Sequence, residues 1–250
     1  MINQIILGDC TKMLFEMPEN FVDLGITSPP FNVGVSYKSS KNDLVSVDEY
    51  CAFAAEVMTG MFRVLKDGGR FCLEIGGSGR DLPLSWLWQD AAYKAGFKLH
   101  TEIVIDHRAT NPTAWGSWLK SDNVRVIPNF RHLYVFYKGT STKRGAVPCD
   151  ISRDEFVEWT KGRWQINWSK GANKKEHPAK FPEELPTRCM KLFGHPGDLV
   201  LDPFIGSGTT AVVACKLGRN YLGIELSPDY YAIAVNKVEK VKQKLGQSNK

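Results

Sequence analysis

Leu199-Val200-Leu201-Asp202-Pro203-Phe204-Ile205-Gly206-Ser207-Gly208-Thr209-Thr210 is the stretch on which the fold turns. Three apolar residues read as a buried strand and Gly206-Ser207-Gly208 as a tight turn. Thr209 to Leu217 then reads as a helix, stopped by Gly218. Glycines let the backbone approach a ligand closely. The N–H groups at a helix start favour a carboxylate or phosphate. Glu225, 23 residues beyond Asp202 and at the end of the next strand, is placed to accept from both hydroxyls of a ribose. The turn lacks the G-x-G-x-x-G spacing of dinucleotide sites and the lysine of a phosphate-binding loop. A nucleoside bearing a carboxylate fits it better than a pyrophosphate.

Outward from this stretch, strand and helix signals alternate. Strands are expected at Ile5–Leu7, Val22–Thr27, Arg70–Ile75, Phe97–Ile105, His132–Tyr137, Leu199–Leu201 and Tyr221–Ile224. Helices are expected over Lys12–Met17, from the capping box Ser46-x-x-Glu49 to Leu65, and over Pro83–Ala95 with Gly96 as its stop. Further helices are expected over Glu183–Phe193 and from Pro228. The alternation implies an α/β fold with a doubly wound, mostly parallel sheet. Such sheets bind ligands beyond the carboxyl ends of their strands, at a switch point. Gly8-Asp9, Ser28-Pro29-Pro30 and Asp202-Pro203-Phe204 all lie at such ends.

The second informative stretch is Thr27-Ser28-Pro29-Pro30-Phe31-Asn32. Proline has no backbone N–H, so the strand ladder must stop there. The Pro29 carbonyl and the Ser28 hydroxyl are left as acceptors beside the Phe31 ring. Acceptors beside an aromatic face suit a flat ligand that carries an amino group.

Composition is that of an ordinary globular chain: 250 residues, 43% hydrophobic and 24% charged. No apolar run approaches the ~20 residues of a membrane span, and the first residues do not resemble a signal peptide. A cytoplasmic protein with no membrane partner is expected. Six cysteines, at 10, 51, 72, 149, 189 and 215, show neither zinc nor redox spacing, so no metal is assigned. Residues 138–180 hold ten Lys or Arg and five acids, which equals the net charge of +5 of the whole chain. Residues 139–176 also break the strand–helix alternation and carry Trp159, Trp164 and Trp168. These tryptophans are expected to form a small core of that segment.

Together these motifs resemble the amino-methylating DNA methyltransferases that use S-adenosyl-L-methionine, in the beta arrangement of that family. There, a Ser/Asp-Pro-Pro-aromatic motif comes first and an Asp-Pro-Phe-x-Gly-Ser-Gly-Thr motif near the end. Here Ser28-Pro29-Pro30-Phe31 comes first and Asp202 to Thr209 late. His177-Pro178-Ala179-Lys180-Phe181-Pro182 is similar to the family's segment before the cofactor strand, and Gly8-Asp9-Cys10 to its adenine-contacting motif. The resemblance implies a Rossmann-like methyltransferase fold with the N-terminal strand following on from the C-terminal helix. It divides the chain into a catalytic part (1–138), a target-recognition segment (139–176) and a cofactor part (177–250).

The same resemblance implies roles. Ser28 Oγ and the Pro29 carbonyl would accept from the target amino group, with Pro30 completing the turn and Phe31 stacking on an extruded base. Asp9, with Cys10 beside it, would face the adenine of the cofactor, and Glu225 the ribose. Gly206, Ser207, Gly208 and Thr209 would hold the methionine carboxylate. Asp202 would be the acid nearest the methionine amine, within the Asp202-Pro203-Phe204 motif, and Phe181 and Pro182 would wall the pocket. Lys161, Arg163, Lys170, Lys174 and Lys175 would neutralise phosphates of double-stranded DNA. Tyr37 and Lys38, in the polar loop 34–47, would close over the base.

In the family, serine before the double proline leans toward cytosine N4 and aspartate toward adenine N6. Both stay open, with cytosine N4 favoured. A protein-glutamine methyltransferase would carry its motifs in the reverse order. A DNA-binding module without catalysis would not need every motif intact. The family also admits a homodimer and a restriction endonuclease that reads the same site; the sequence determines neither.

Overall fold

Alternating burial along the strands sorts the core into two layers, one on each side of a single sheet. Leu199 and Leu201 join Phe71, Leu73 and Tyr134 on one side; Val200 joins Leu24, Ile26, Cys72 and Val135 on the other. The computed structural model describes residues 1–32, 34, 45–76, 83–106, 130–143, 149–167 and 182–248. Along them run β1 (Gln4–Leu7), α1 (Cys10–Glu16), β2 (Val22–Thr27), α2 (Val47–Val64), β3 (Leu65–Gly76), α3 (Leu84–Ala95), β4 (Lys98–Asp106) and β5 (Phe130–Tyr137). After these come α4 (Arg153–Trp159), β6 (Arg163–Gln165), α5 (Glu184–Phe193), β7 (Leu199–Asp202), α6 (Thr209–Lys216), β8 (Asn220–Glu225) and α7 (Pro228–Ser248).

The strands form one sheet in the order β1-β8-β7-β2-β3-β5-β4-β6. Every neighbouring pair is parallel except the two that β5 makes, with β3 and with β4. The doubly wound, mostly parallel sheet expected from the sequence is the observed one. β1 does lie against β8, so the first and last strands of the described residues meet in the sheet. Helices α1, α2 and α3 cover one side, and α5, α6 and α7 the other.

Local chemistry explains the boundaries. Ser46 Oγ accepts from the Glu49 amide at 3.2 Å and Glu49 Oε2 from the Ser46 amide at 2.9 Å, so α2 begins with a complete capping box. α3 ends at Gly96 in the left-handed region, with φ of 103°. At Gly25 a Cβ would stand 2.6 Å from the Phe71 ring and 2.7 Å from Met61 Cε, so α2 packs this closely on β2 only over a glycine.

Two expectations are corrected. β3 starts at Leu65, directly after α2, rather than at Arg70. Leu65 pairs with Val22, and a shift of register between Val22 and Leu24 accommodates Asp67-Gly68-Gly69. The second concerns 139–176, whose Trp164 joins the main core rather than a separate one. β6 pairs with the outer edge of β4, Ile105 opposite Trp164, and Trp164 is fully buried in the main core. The Arg188 guanidinium of α5 lies 5.4 Å from the Trp159 ring centroid and 5.2 Å from that of Trp164. Lys191 pairs with Glu155 at 2.7 Å, tying α5 to α4. A three-residue strand is too short to show a period, which is why the sequence pattern hides it. Trp168 lies outside the described residues. Among the described residues, no helix is long and apolar enough to cross a membrane.

Truncating a fully buried tryptophan costs about 3–5 kcal/mol. Trp164→Ala should therefore lower the stability of the whole protein by that amount in one cooperative urea transition. A separate early transition, with the main one unmoved, would show instead that 139–176 folds apart from the sheet.

Candidate active site

β7 and β2 are neighbours near the middle of the sheet, and from them the chain winds in opposite directions, to β8 and to β3. This is the switch point where such sheets bind ligands. The turn after β2 carries Ser28-Pro29-Pro30, and the turn after β7 carries Pro203 to Gly208. β8 ends at Glu225 and β1 is followed by Asp9.

Asp202 joins the two turns. Its Oδ1 accepts from Thr27 Oγ1 at 2.6 Å and from the Phe204 amide at 3.0 Å, and its Oδ2 accepts from Thr210 Oγ1 at 2.6 Å. The side chain is buried, and desolvation raises its pKa to about 6, against the lowering pull of these three donors. Both carboxylate oxygens thus serve the fold, and Asp202 clamps the rim at the turn to which the resemblance assigns the methionine amine. Phe204 packs against Phe53 of α2 at 5.7 Å between ring centroids, and Pro203 is buried.

Glu225 is held from two sides. Oε2 accepts from the Gly206 amide at 2.9 Å and Oε1 from the Ser227 amide at 2.8 Å. Burial raises its pKa, opposed by these two amides. The Gly8 amide donates to the Glu225 carbonyl at 2.9 Å, so the β1 turn is fixed to the same residue. Asp9 caps α1: its Oδ1 accepts from the Thr11 amide at 3.0 Å and the Thr11 hydroxyl at 2.9 Å. Cys10 turns inward, and burial raises its thiol pKa to about 12. Its side chain packs into the core beside the Asp9 turn.

The Gly turn suits a carboxylate. Gly208 caps α6 with φ of 88°, and no side chain caps the helix, so its first amides have no intrahelical or side-chain acceptor. A Cβ on Gly208 would stand 3.0 Å from Ala234 of α7, so the turn keeps this path only with glycine. Ser207 and Thr209, on either side of Gly208, are buried in the turn. An uncapped helix start with Glu225 and Asp9 at neighbouring strand ends fits the carboxylate and nucleoside of S-adenosyl-L-methionine.

The proline turn is held from below. The Tyr50 hydroxyl donates to the Pro30 carbonyl at 2.6 Å, and Trp88 Nε1 donates to the Tyr50 oxygen at 3.1 Å. α3 thus steadies the turn through α2. Among the described residues no group donates to the Pro29 carbonyl or bonds the Ser28 hydroxyl. Phe31 is half-buried, its ring over Gly76. Asn32 Oδ1 accepts from the Val45 amide at 2.7 Å and its Nδ2 donates to the Val45 carbonyl at 3.1 Å, clasping both ends of the 33–44 stretch. The supporting bonds of Tyr50 and Asn32 are contacts that sequence reading missed. The signal for Tyr50 is a hydroxyl on the buried stripe of a helix, which needs a partner.

The remaining assignments fare differently. Lys161 and Arg163 are exposed but paired, with Glu158 and with Asp106, each at 2.5 Å. The Pro182 carbonyl accepts from Leu185 at 3.1 Å, and the adjacent Glu183 pairs with Lys216 at the opposite end of α6 from the Gly turn. None of these contacts links Pro182 to the rim. Tyr37, Lys38, Lys170, Lys174, Lys175 and Phe181 lie outside the described residues.

The geometry agrees with comparison to known proteins. A family model described as DNA methylase, of the N6/N4 type, matches residues 22–236. The chain is 30% identical to the Type II methyltransferase M.ScaI of Streptomyces caespitosus over 95% of its length and 82% of that protein's. It superposes on TTHA0409 of Thermus thermophilus, solved with S-adenosyl-L-methionine, with a TM-score of 0.72, 26% identity and coverage of 96% and 94%. The PvuII DNA methyltransferase, cytosine-N4-specific, shares the fold at a TM-score of 0.72 and 24% identity, with coverage of 97% and 91%. The chain belongs to the DNA methylase family of N4-cytosine and N6-adenine amino-methyltransferases.

The clamp carries a pH signature. Because the folded Asp202 holds its proton to about pH 6 and an ordinary carboxyl only to 3.8, the native state binds more protons between these values. Its contribution to stability is therefore fullest below about pH 4 and falls as pH rises through 6. A difference of this size corresponds to roughly 3 kcal/mol at most. Asp202→Asn should gain on the wild type by up to that amount between pH 4 and 7 in urea denaturation. Parallel stability curves for the two proteins would refute the assignment.

Proposed function

We propose that this methyltransferase modifies cytosine N4 in double-stranded DNA. The observation that carries amino-methylation is the acceptor pair at the switch point: the Ser28 hydroxyl and the Pro29 carbonyl, without donors among the described residues, one residue beyond the Thr27–Asp202 clamp; the serine itself carries the choice of cytosine. An exocyclic amino nitrogen is a poor nucleophile because its lone pair is delocalised into the ring. Two acceptors on its N–H groups draw the nitrogen toward a tetrahedral shape and free that lone pair for in-line attack.

Bound S-adenosyl-L-methionine supplies the electrophilic methyl group. The amides of Ser207 and Thr209 at the start of α6 would hold its carboxylate, while that of Gly208 donates to the Ile205 carbonyl at 2.9 Å; Glu225 would accept from the ribose and Asp9 from the adenine amino group. Phe31 stacks on the extruded base. The Tyr50–Pro30 bond keeps the acceptors in place before substrate arrives, so positioning and electrostatics carry the rate. Residues 139–176, with Lys161 and Arg163, act as the phosphate-facing segment. A restriction endonuclease reading the same site fits the kinship with M.ScaI.

Adenine N6 is the second reading. It shares the acceptor pair, and only the serine at position 28 favours cytosine. Incubation with labelled cofactor and mixed-sequence duplex, followed by nucleoside mass spectrometry, is expected to show label in N4-methylcytosine. Label in N6-methyladenine would replace the target, and no labelled nucleoside would remove the reading. Ser28→Ala is expected to lower kcat on the order of 100-fold, as loss of one preorganised hydrogen-bond partner does, with cofactor affinity unchanged by calorimetry. Full activity would sink the acceptor mechanism.

A further inference from the structure

Beside the proline turn lies an ion pair that the mechanism above does not use. Glu74, on β3, is 1% exposed, and its Oε1 accepts from Arg131 Nη1 of β5 at 3.0 Å. Its Oε2 has no hydrogen-bond partner among the described residues. A carboxylate buried this deeply is unfavourable unless paired, so something holds the pair here. The guanidinium of Arg131 has a second contact: its central carbon lies 5.1 Å from the centroid of the Phe31 ring.

The register explains how the three groups meet. β3 and β5 run antiparallel with Gly76 opposite Arg131, so Glu74 stands diagonally across on the same face of the sheet. Gly76 has no side chain, and the Phe31 ring occupies the space above it, with ring carbons 3.4 and 3.6 Å from where a Cβ would be. A planar cation fixed by a buried acid thus meets one face of the ring that follows the double proline. Cation–π attraction of this kind depends on the guanidinium staying over the ring.

We propose that Glu74 and Arg131 are positioning residues that set the plane of Phe31 and so the plane of the target base stacked on it. Glu74 fixes Arg131, and Arg131 covers one face of the ring, leaving the other for the base. The proposal rests on the amino-methylation reading and on the stacking role of Phe31. A lysine at 131 keeps a charge for Glu74 but loses the flat fork, and its single ammonium cannot pair with the acid and cover the ring together.

The test is a double-mutant cycle on kcat/KM for DNA, with Arg131→Lys, Phe31→Leu and the combination, and with cofactor affinity measured by calorimetry. Arg131→Lys should lower kcat/KM about tenfold, a change within the range of a lost cation–π contact. Cofactor affinity should not change. In the Phe31→Leu background the same substitution should have no further effect, because Arg131 acts through that ring. A merely structural role would make the losses multiply, and that result would overturn the proposal, as would a wild-type rate for Arg131→Lys. If Arg131→Lys does not fold, Glu74→Gln combined with Arg131→Met removes the pair as a unit and should give the same pattern. A wild type that methylates no DNA would remove the amino-methylation reading and this proposal with it. An active wild type with an additive cycle removes the proposal alone.

Discussion

The carboxylate of Asp202 is the point on which the active-site rim depends. The backbone ladder between β2 and β7 is short, with Leu24 opposite Val200 and Gly25 opposite Leu201. Beyond it the two strands diverge, each toward its own turn. The bond from Thr27 to Asp202 continues the contact by side chains where the backbone ladder stops, across 175 residues of sequence. Thr210 and the Phe204 amide complete the set, so one acid fixes the end of β2, the turn after β7 and the first turn of α6. A buried carboxylate without these donors would be costly to desolvate; with them it becomes a rigid joint.

The same design recurs around the rim. Glu225 is oriented by the amides of Gly206 and Ser227, Asp9 by Thr11, and the Pro30 carbonyl by Tyr50. These three groups are held by neighbours within the chain. Reorganisation on binding is then small, which is what electrostatic preorganisation requires. The acceptors assigned to the target amino group are the contrast: Ser28 Oγ and the Pro29 carbonyl are held in position by their backbone yet have no donor among the described residues.

Much of this was legible in the sequence, for identifiable reasons. Val22–Thr27 and Leu199–Leu201 are apolar runs bounded by proline and glycine, and their alternation with amphipathic helices left few topologies open. Asp9, Ser28, Asp202 and Glu225 could be read as strand-end residues because breakers follow the strands. What the sequence concealed lies in pairings between distant strands. Nothing near Glu74 announces Arg131, because antiparallel register decides the match. Nothing near Trp164 announces a strand, because Arg163–Gln165 has no length in which to show a period. Asp202 was recognisable as important but not as a clamp, since its hydrogen bonds depend on Thr27 and Thr210 arriving together. The Tyr50 hydroxyl was hidden inside a stripe that reads as core.

The pairing of β1 with β8 bears on how the chain comes into being. Gln4 lies opposite Leu222, and β1, at the sheet edge, has β8 as its strand neighbour among the described residues. During synthesis from the N-terminus, the first strand therefore emerges long before its partner exists. The second strand meets β3 early but lacks β7, so one of its edges stays open for most of translation. Contacts of such sequence separation are slow to form and leave strand edges exposed in the meantime. The proline pair that closes β2 limits that exposure at the carboxyl end, since a segment without amide hydrogens is a poor template for a stray strand. The feature that ends the ladder for chemistry thus also guards an unfinished sheet.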